Sequence, residues 1–290
     1  MMHRAADYFH PSVALAYFIA VITAAMLFMQ PVYIAAGLMS AAVSGVIYCG
    51  VRPTLKTLLF ALPVFLLIAL FNPLVSHGGV TPLFFIGGSA FTLEALLYGV
   101  CSGGMLLLVF LWFCSYNRIV TPEKFLYLFS KSSPAAAMLV TMTQRMIELF
   151  RRRAGLITAA QKTMLCDISH GSIKTRFTSG VRVTSILLGW SMEDGLDTTL
   201  SMKARGYGAT KRTSFSIYRF RLADAAALFT IALCLIVCVA GYCLSARFRF
   251  YPAITMPAPS IFSAASIAAY LALALLPVFA EITEALRWRY

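Results

Sequence analysis

The residues of this chain that could do chemistry are mostly cations, and one of them is set apart by its neighbours. In the stretch SMKARGYGATKRTSF, Ser201 to Phe215, Arg205 stands between Ala204 and Gly206 at the end of a polar helical run. An arginine side chain is a planar fork of five donors, able to grip a carboxylate or the carbonyls at the end of a partner helix. Ala204 is small enough to let two backbones approach. Gly206 can take a positive φ and end the helix, and a cation is favoured at a helix C-terminus. The same tripeptide also reads as a basic cap on a solvated helix, and residue type and spacing leave both readings open.

Other chemistries lack their residues. No GxxxxGK[ST] occurs; the nearest stretch, GYGATKRTS, lacks the Gly before its Lys and follows a helix rather than a strand, so ATP hydrolysis through a phosphate loop is not expected. HExxH, GxSxG and paired metal ligands are missing too, which argues against a membrane-bound enzyme. His3, His10, His77 and His170 are scattered and read as polar surface residues. The cysteines, at positions 49, 101, 114, 166, 234, 238 and 243, form no CxxC, and all but Cys166 sit in or beside apolar runs; they read as small buried hydrophobes. No aromatic-plus-basic motif for nucleic acid is visible, so no nucleic-acid partner is expected.

The elements that carry Arg205 follow from composition. The chain has 290 residues, is 60% hydrophobic and only 12% charged, and its mean hydropathy is +0.81. Soluble domains carry about 25% charged residues. Half that fraction, with several runs of spanning length, predicts an all-α integral membrane protein. Six spans are expected, at about Ser12–Met29, Val32–Cys49, Leu55–Phe71, Leu93–Ser115, Leu222–Leu244 and Ile261–Ala280. The N-terminal apolar run is too long for a signal peptide and has no small-residue cleavage site after it, so it reads as a retained first span.

The formal charge of +13 is concentrated: Arg118 to Arg221 holds 17 of the 24 Lys and Arg but 6 of the 11 Asp and Glu. The expected organisation is therefore four spans in residues 1–117, a basic insert in 118–221 and two spans in 222–290. Arg52 and Lys56 follow the second span, Arg4 precedes the first, and Arg287 and Arg289 follow the sixth, while the link NPLVSHGGVTPLFFIGGSAF carries no cation. By the bias of cations toward the cytoplasmic side, both termini and the insert are expected there, in a multi-pass protein of the cell membrane. Arg247 and Arg249 then violate the pattern. Ionisable groups are confined to span edges: Glu94 at the outer edge of the fourth, Asp224 at the inner edge of the fifth, and Glu281 and Glu284 past the sixth. An ion-driven carrier usually needs one near the midplane. This weakens a stand-alone secondary transporter, which is the alternative reading.

The insert predicts three helices. Thr121, Pro122 and Glu123 make a helix start, and Phe125, Leu128 and Phe129 then form an interfacial stripe. Ser133-Pro134 opens a second helix whose later half carries Arg145, Arg151, Arg152, Arg153 and Lys162. A third runs from about Ser172 to Lys203, with a bend expected at Gly180, Gly189 or Gly195. On it Val183, Ile186, Leu187 and Trp190 follow i, i+3, i+4, i+7, among Arg176, Arg182, Glu193, Asp194 and Asp197. Two long amphipathic helices without strand-like alternation suit a docking platform better than a separate soluble domain. Glu193 and Asp197 read as surface charges.

With these features the chain resembles the transmembrane T component of energy-coupling factor (ECF) transporters, a family that includes the membrane subunits of cobalt and nickel ABC importers. The resemblance runs from HPSVALAYF through FNPLVSHGGVTPLFFIGG, TLEALLYG and EKFLYLFSKSSPAAAMLVTMTQRMIELFRRRAGLITAAQ to SMKARGYGATKRTSFSIYRF. The family has two cytoplasmic coupling helices, each ending in an Ala-Arg-Gly-like tripeptide. Ala204-Arg205-Gly206 matches the second. The first departs: after Ala160-Gln161 come Lys162, Thr163 and Met164, with Met164 where the arginine would stand.

The resemblance implies a coupling subunit without a catalytic site. It would join two cytoplasmic P-loop ATPases to a small membrane subunit that binds the substrate, a vitamin or a transition-metal ion. ATP and magnesium would be held by the ATPases, with no cofactor bound by this chain. It implies that Ala204, Arg205 and Gly206 dock an ATPase, and that near Met164 either Lys162 supplies the cation or the helix docks by apolar contact. Arg151, Arg152 and Arg153 would meet acidic ATPase surface, lipid headgroups or solvent. Val183, Ile186, Leu187 and Trp190 would pack on the other coupling helix or on the substrate-binding subunit.

Overall fold

The computed structural model of the chain describes residues 10–76, 79–86, 89–163, 172–209, 218–244, 248–251, 254–255 and 260–287. In chain order these form α1 (Pro11–Leu27), α2 (Pro31–Tyr48), α3 (Val51–Val75), β1 (Pro82–Ile86), β2 (Ser89–Thr92), α4 (Leu93–Ile119), α5 (Pro122–Ser132), α6 (Pro134–Thr163), α7 (Ile173–Ala204), α8 (Leu222–Leu244) and α9 (Ile261–Arg287). The chain divides into two compact units. One is Met1–Phe125 with Tyr218–Tyr290, the other Leu126–Ile217.

The helix starts follow local chemistry. Proline occupies the first turn of α1, α2, α5 and α6, where its missing N–H is no loss. Thr92 caps α4 by accepting from the Ala95 amide at 3.4 Å. Ser172 precedes α7 with extended backbone, and α7 then runs unbroken through Gly180, Gly189 and Gly195.

Among the described residues five helices, α2, α3, α4, α8 and α9, are long and apolar enough to cross a membrane; α1, at 17 residues, is shorter. Much of their apolar surface faces outward. On α3, Phe60 is 74% and Leu67 64% exposed. Water does not tolerate a helix that is apolar all round, so this surface marks a multi-pass membrane protein with lipid as its solvent.

Inside the first unit the core joins Tyr17, Phe18 and Val21 of α1 to Leu108, Leu111 and Trp112 of α4 and Leu273 of α9. Small residues let α3 and α4 approach closely. A Cβ on Gly99 would lie 2.8 Å from the Ala69 carbonyl oxygen, and one on Gly103 would lie 3.0 Å from that of Phe65. This spacing of two glycines four residues apart is the usual device for backbone contact where lipid supplies no hydrophobic drive. Buried hydroxyls stitch helices together: Tyr33 Oη donates to Ser266 Oγ at 2.7 Å, and Ser266 Oγ donates to the Cys238 carbonyl at 2.9 Å, linking α2, α9 and α8.

Three features differ from the sequence expectation or extend it. The cation-free link contains the antiparallel hairpin β1–β2, with Phe84 opposite Phe91 and Ile86 opposite Ser89. Glu94 is a buried staple for that link: its carboxylate accepts from the Thr81 hydroxyl at 2.8 Å and from the Thr81 and Val80 amides at 3.3 and 3.4 Å. His10 is buried rather than a surface residue. Its Nδ1 lies 2.7 Å from Ser12 Oγ, its ring packs edge-on against Phe220, and its backbone N–H donates to buried Asp224.

Candidate functional site

Within the second unit the candidate site is built on α6 and α7. Positions on α6 recur at helical spacing: Met142, Arg145, Met146, Leu149, Arg153, Leu156, Ile157, Ala160 and Gln161 share one face. Facing them from α7 are Arg182, Ile186, Trp190, Asp194, Asp197, Ser201, Met202 and Arg205. The numbers rise along one helix as they fall along the other, so the two helices run in opposite senses across their contact.

A clamp marks the middle of this contact. The Arg153 guanidinium donates through both terminal nitrogens to the Asp194 carboxylate, Nη2 to Oδ1 at 3.0 Å. The same guanidinium stacks over the Trp190 ring, with its carbon 5.0 Å from the ring centroid. Trp190 and Asp194 are one helical turn apart, so one arginine grips two successive turns of α7. Among the described residues, Ile157 and Gln161 of α6 and Val183 and Ser179 of α7 are the buried ones of these two helices.

Two clefts flank the clamp. One, of about 470 Å³, is lined by Leu156, Ile157, Ala160, Gln161, Arg182, Ile186 and Trp190 and is nearly all apolar. The other, of about 540 Å³, has Met142, Met146, Leu149 and Met202 on its apolar walls. It also carries Arg145, Asp197 and Arg205, with the Arg153–Asp194 pair among its lining residues. Methionine-lined surface adapts to varied partners.

The end of α7 is a defined structure. The Gly206 amide donates to the Lys203 carbonyl and the Tyr207 amide to the Met202 carbonyl, each at 3.0 Å. This pair of bonds, with Gly206 at φ +79°, is a Schellman cap. Arg205 is the C-cap residue; it is exposed, lines the second cleft and makes no ion pair among the described residues. Ala204 is the last helical residue and is exposed.

The remaining sequence-derived positions separate into three groups. Val183 is buried, Leu187 half-buried, and Ile186 and Trp190 line the first cleft. Arg151 and Arg152 are exposed on α6, and Lys162 is exposed one residue before its end. Met164 lies outside the described residues. Sequence reasoning grouped Arg153 with Arg151 and Arg152 and did not pair it with Asp194. The available signal was weak: Asp194 follows Trp190 by four residues, on the same face as the apolar stripe.

Among the described residues no three His, Cys, Asp or Glu side chains come together as metal ligands would. What the site offers instead is two grooved helices held in a fixed crossing, with a forked cation at one rim. No protein-family model matches this chain, and no curated protein matches it either.

Proposed function

We propose that this chain is the non-catalytic coupling subunit of an ATP-driven importer of the energy-coupling factor type. In that role it spans the cell membrane six times, α1 included, with both termini and the basic insert in the cytoplasm. It joins two P-loop ATPases, which hold ATP and magnesium, to a small membrane subunit that binds a vitamin or a transition-metal ion. The observation that carries this reading is the capped end of α7. Arg205 is exposed beside a methionine-lined cleft, and Gly206 in its left-handed conformation ends the helix directly after it. A rigid helix end with one forked cation suits insertion into a partner groove that offers carboxylates or helix-terminal carbonyls. The sequence resemblance around Ala204-Arg205-Gly206 points the same way.

The clamp supports the reading mechanically. A pair of helices pinned by Arg153, Asp194 and Trp190 moves as one lever, so displacement at the Arg205 end is passed along α7 instead of being absorbed by the crossing. In this scheme Ala204, Arg205 and Gly206 dock one ATPase. Lys162 and the region of Met164 dock the second, with Arg151 and Arg152 facing acidic surface or headgroups. Val183, Ile186, Leu187 and Trp190 pack on the other coupling helix or on the substrate-binding subunit.

The test is isolation of the native complex. Two P-loop ATPases should co-purify, and Arg205→Ala should weaken the complex by about 2–5 kcal/mol if the guanidinium is buried and hydrogen-bonded there. An unchanged complex with unchanged transport in that variant would overturn the docking role. Uptake driven by an ion gradient in liposomes holding this chain alone would replace the whole reading with a secondary carrier.

A further inference from the structure

Cys49 and Cys114 are far apart in sequence and in contact in the fold. Cys49 caps the C-terminus of α2, and Cys114 lies in α4, five residues before Ile119. The Cys49 thiol points to the Cys114 carbonyl at 3.3 Å, and the Cys114 thiol points to Cys49 Sγ at 3.4 Å. Among the described residues these are the two thiols in mutual contact. Both are reduced and half-buried, whereas Cys101 and Cys238 are buried.

The geometry points to a modification site. A disulfide needs its sulfurs at ~2.04 Å, so closing this pair takes a movement of roughly 1.4 Å from the present 3.4 Å contact. Cys49 is placed to supply it. It ends its helix and is followed by Gly50 at φ +92°, so its side chain can swing without breaking an interior turn. A partly exposed thiol is reachable by a small uncharged oxidant, and a second thiol beside it resolves the first product before further oxidation.

We propose that Cys49 and Cys114 form a reversible disulfide, closed by a hydroperoxide and opened by a dithiol reductant. One thiol loses its proton and its sulfur attacks the peroxide. The O–O bond breaks, and with hydrogen peroxide one water leaves as a sulfenic acid forms. The second thiol then displaces the sulfenic oxygen as a second water and the S–S bond closes. Two electrons pass from the sulfurs to the peroxide, and the two thiol protons end in the two waters. Reduction by a dithiol reverses the link through exchange, with the reductant oxidised to its own disulfide. The bond would tie the turn between α2 and α3 to the last turns of α4 and close a loop spanning 65 positions, restricting the unfolded chain.

The test uses the full chain, purified reduced in detergent. It is treated with one equivalent of hydrogen peroxide, then alkylated with N-ethylmaleimide, digested and mapped by mass spectrometry. The expected result is one peptide pair joined through Cys49 and Cys114, a protein lighter by two hydrogen atoms, and full alkylation after dithiothreitol. Cys114→Ala or Cys49→Ala should lose the link and leave a sulfenic acid on the remaining thiol, trapped by dimedone. If neither alanine variant folds, the wild-type peptide map decides alone. Continued alkylation of both thiols after peroxide treatment would overturn the proposal. So would a bond from either one to any other cysteine, exposed Cys243 included.

Discussion

Arg153 and Asp194, 41 positions apart, hold α6 and α7 together by a two-point hydrogen-bonded ion pair, and the same guanidinium covers the ring of Trp190. Both partners are partly exposed, and few side chains of the two helices are buried among the described residues, so this pair contributes visibly to holding the contact. An exposed ion pair is worth about 0.2–1 kcal/mol, and stacking on an aromatic face adds about 0.5–1 kcal/mol.

The clamp gives the first prediction. Arg153→Ala and Asp194→Ala should each speed amide exchange along both helices by about fivefold, about 1 kcal/mol, and the double variant should be little faster than either, which is the mark of a coupled pair. Arg153→Lys should lose most of the coupling, because a lysine keeps the charge but loses both the fork and the planar stack. Exchange rates that match the wild type in Asp194→Ala would mean that the crossing is held elsewhere.

Gly206 carries the second. At φ +79° an L-residue with a Cβ is strained, and nothing lies within 4 Å of where that Cβ would go, so the effect is one of backbone alone. Gly206→Ala should weaken the cap by about 1 kcal/mol, and Gly206→Asn by less, since asparagine tolerates the left-handed region best after glycine. Amide exchange at Arg205, Gly206 and Tyr207 is the measurement. Equal rates in all three proteins would remove the cap from the account of how Arg205 is aimed.

The third concerns the contact of α3 with α4. Gly103→Val places its side chain against the Phe65 carbonyl, which cannot rotate away, so α3 must retreat. Overpacking of this kind destabilises by about 1–3 kcal/mol. The thermal midpoint in detergent should fall. Gly155→Ala in α6 is the control, because no atom lies within 4 Å of its new methyl group. That variant should be neutral or slightly stabilising, since alanine is the better helix former.

What the sequence made legible was whatever depends on neighbours in the chain. Apolar runs gave these helices to within a few residues at most ends, although α3 extends to Val51 and Val75, beyond the expected Leu55–Phe71, and α9 runs on to Arg287, seven residues past the expected Ala280. Pro122, Pro134 and Ser172 marked the starts of α5, α6 and α7, and Gly206 marked a stop. What stayed hidden was pairing at a distance. Arg153 with Asp194, Cys49 with Cys114 and His10 with Asp224 meet through packing, and no local period reports which of several similar residues will meet. Hairpin β1–β2 was missed because Leu83, Phe84, Phe85 and Ile86 are a continuous apolar run without the alternation that signals a strand.

Asp224 gives the last prediction. It is 3% exposed, and its two carboxylate oxygens divide their work. Oδ1 accepts from the His10 amide at 3.0 Å, just before α1, and Oδ2 from the Arg221 amide at 2.9 Å, just before α8. One side chain thus satisfies donors at the starts of two helices, where the helix dipole also favours a negative charge. Asp224→Ala leaves both amides without this acceptor and should destabilise the first unit by about 3–6 kcal/mol, given ~1.5–3 kcal/mol for each hydrogen bond to a charged group. Asp224→Asn keeps one carbonyl acceptor and should lose about half as much. His10→Ala is the discriminating variant. The bond from position 10 is made by its backbone, so this change keeps that bond while it removes the ring's contacts, those with Ser12, Tyr218 and Phe220 among them, and should be the mildest of the three. Thermal midpoints in detergent should rank Asp224→Ala lowest, then Asp224→Asn, then His10→Ala. If His10→Ala ranks lowest, the imidazole and not the carboxylate joins the two helix starts.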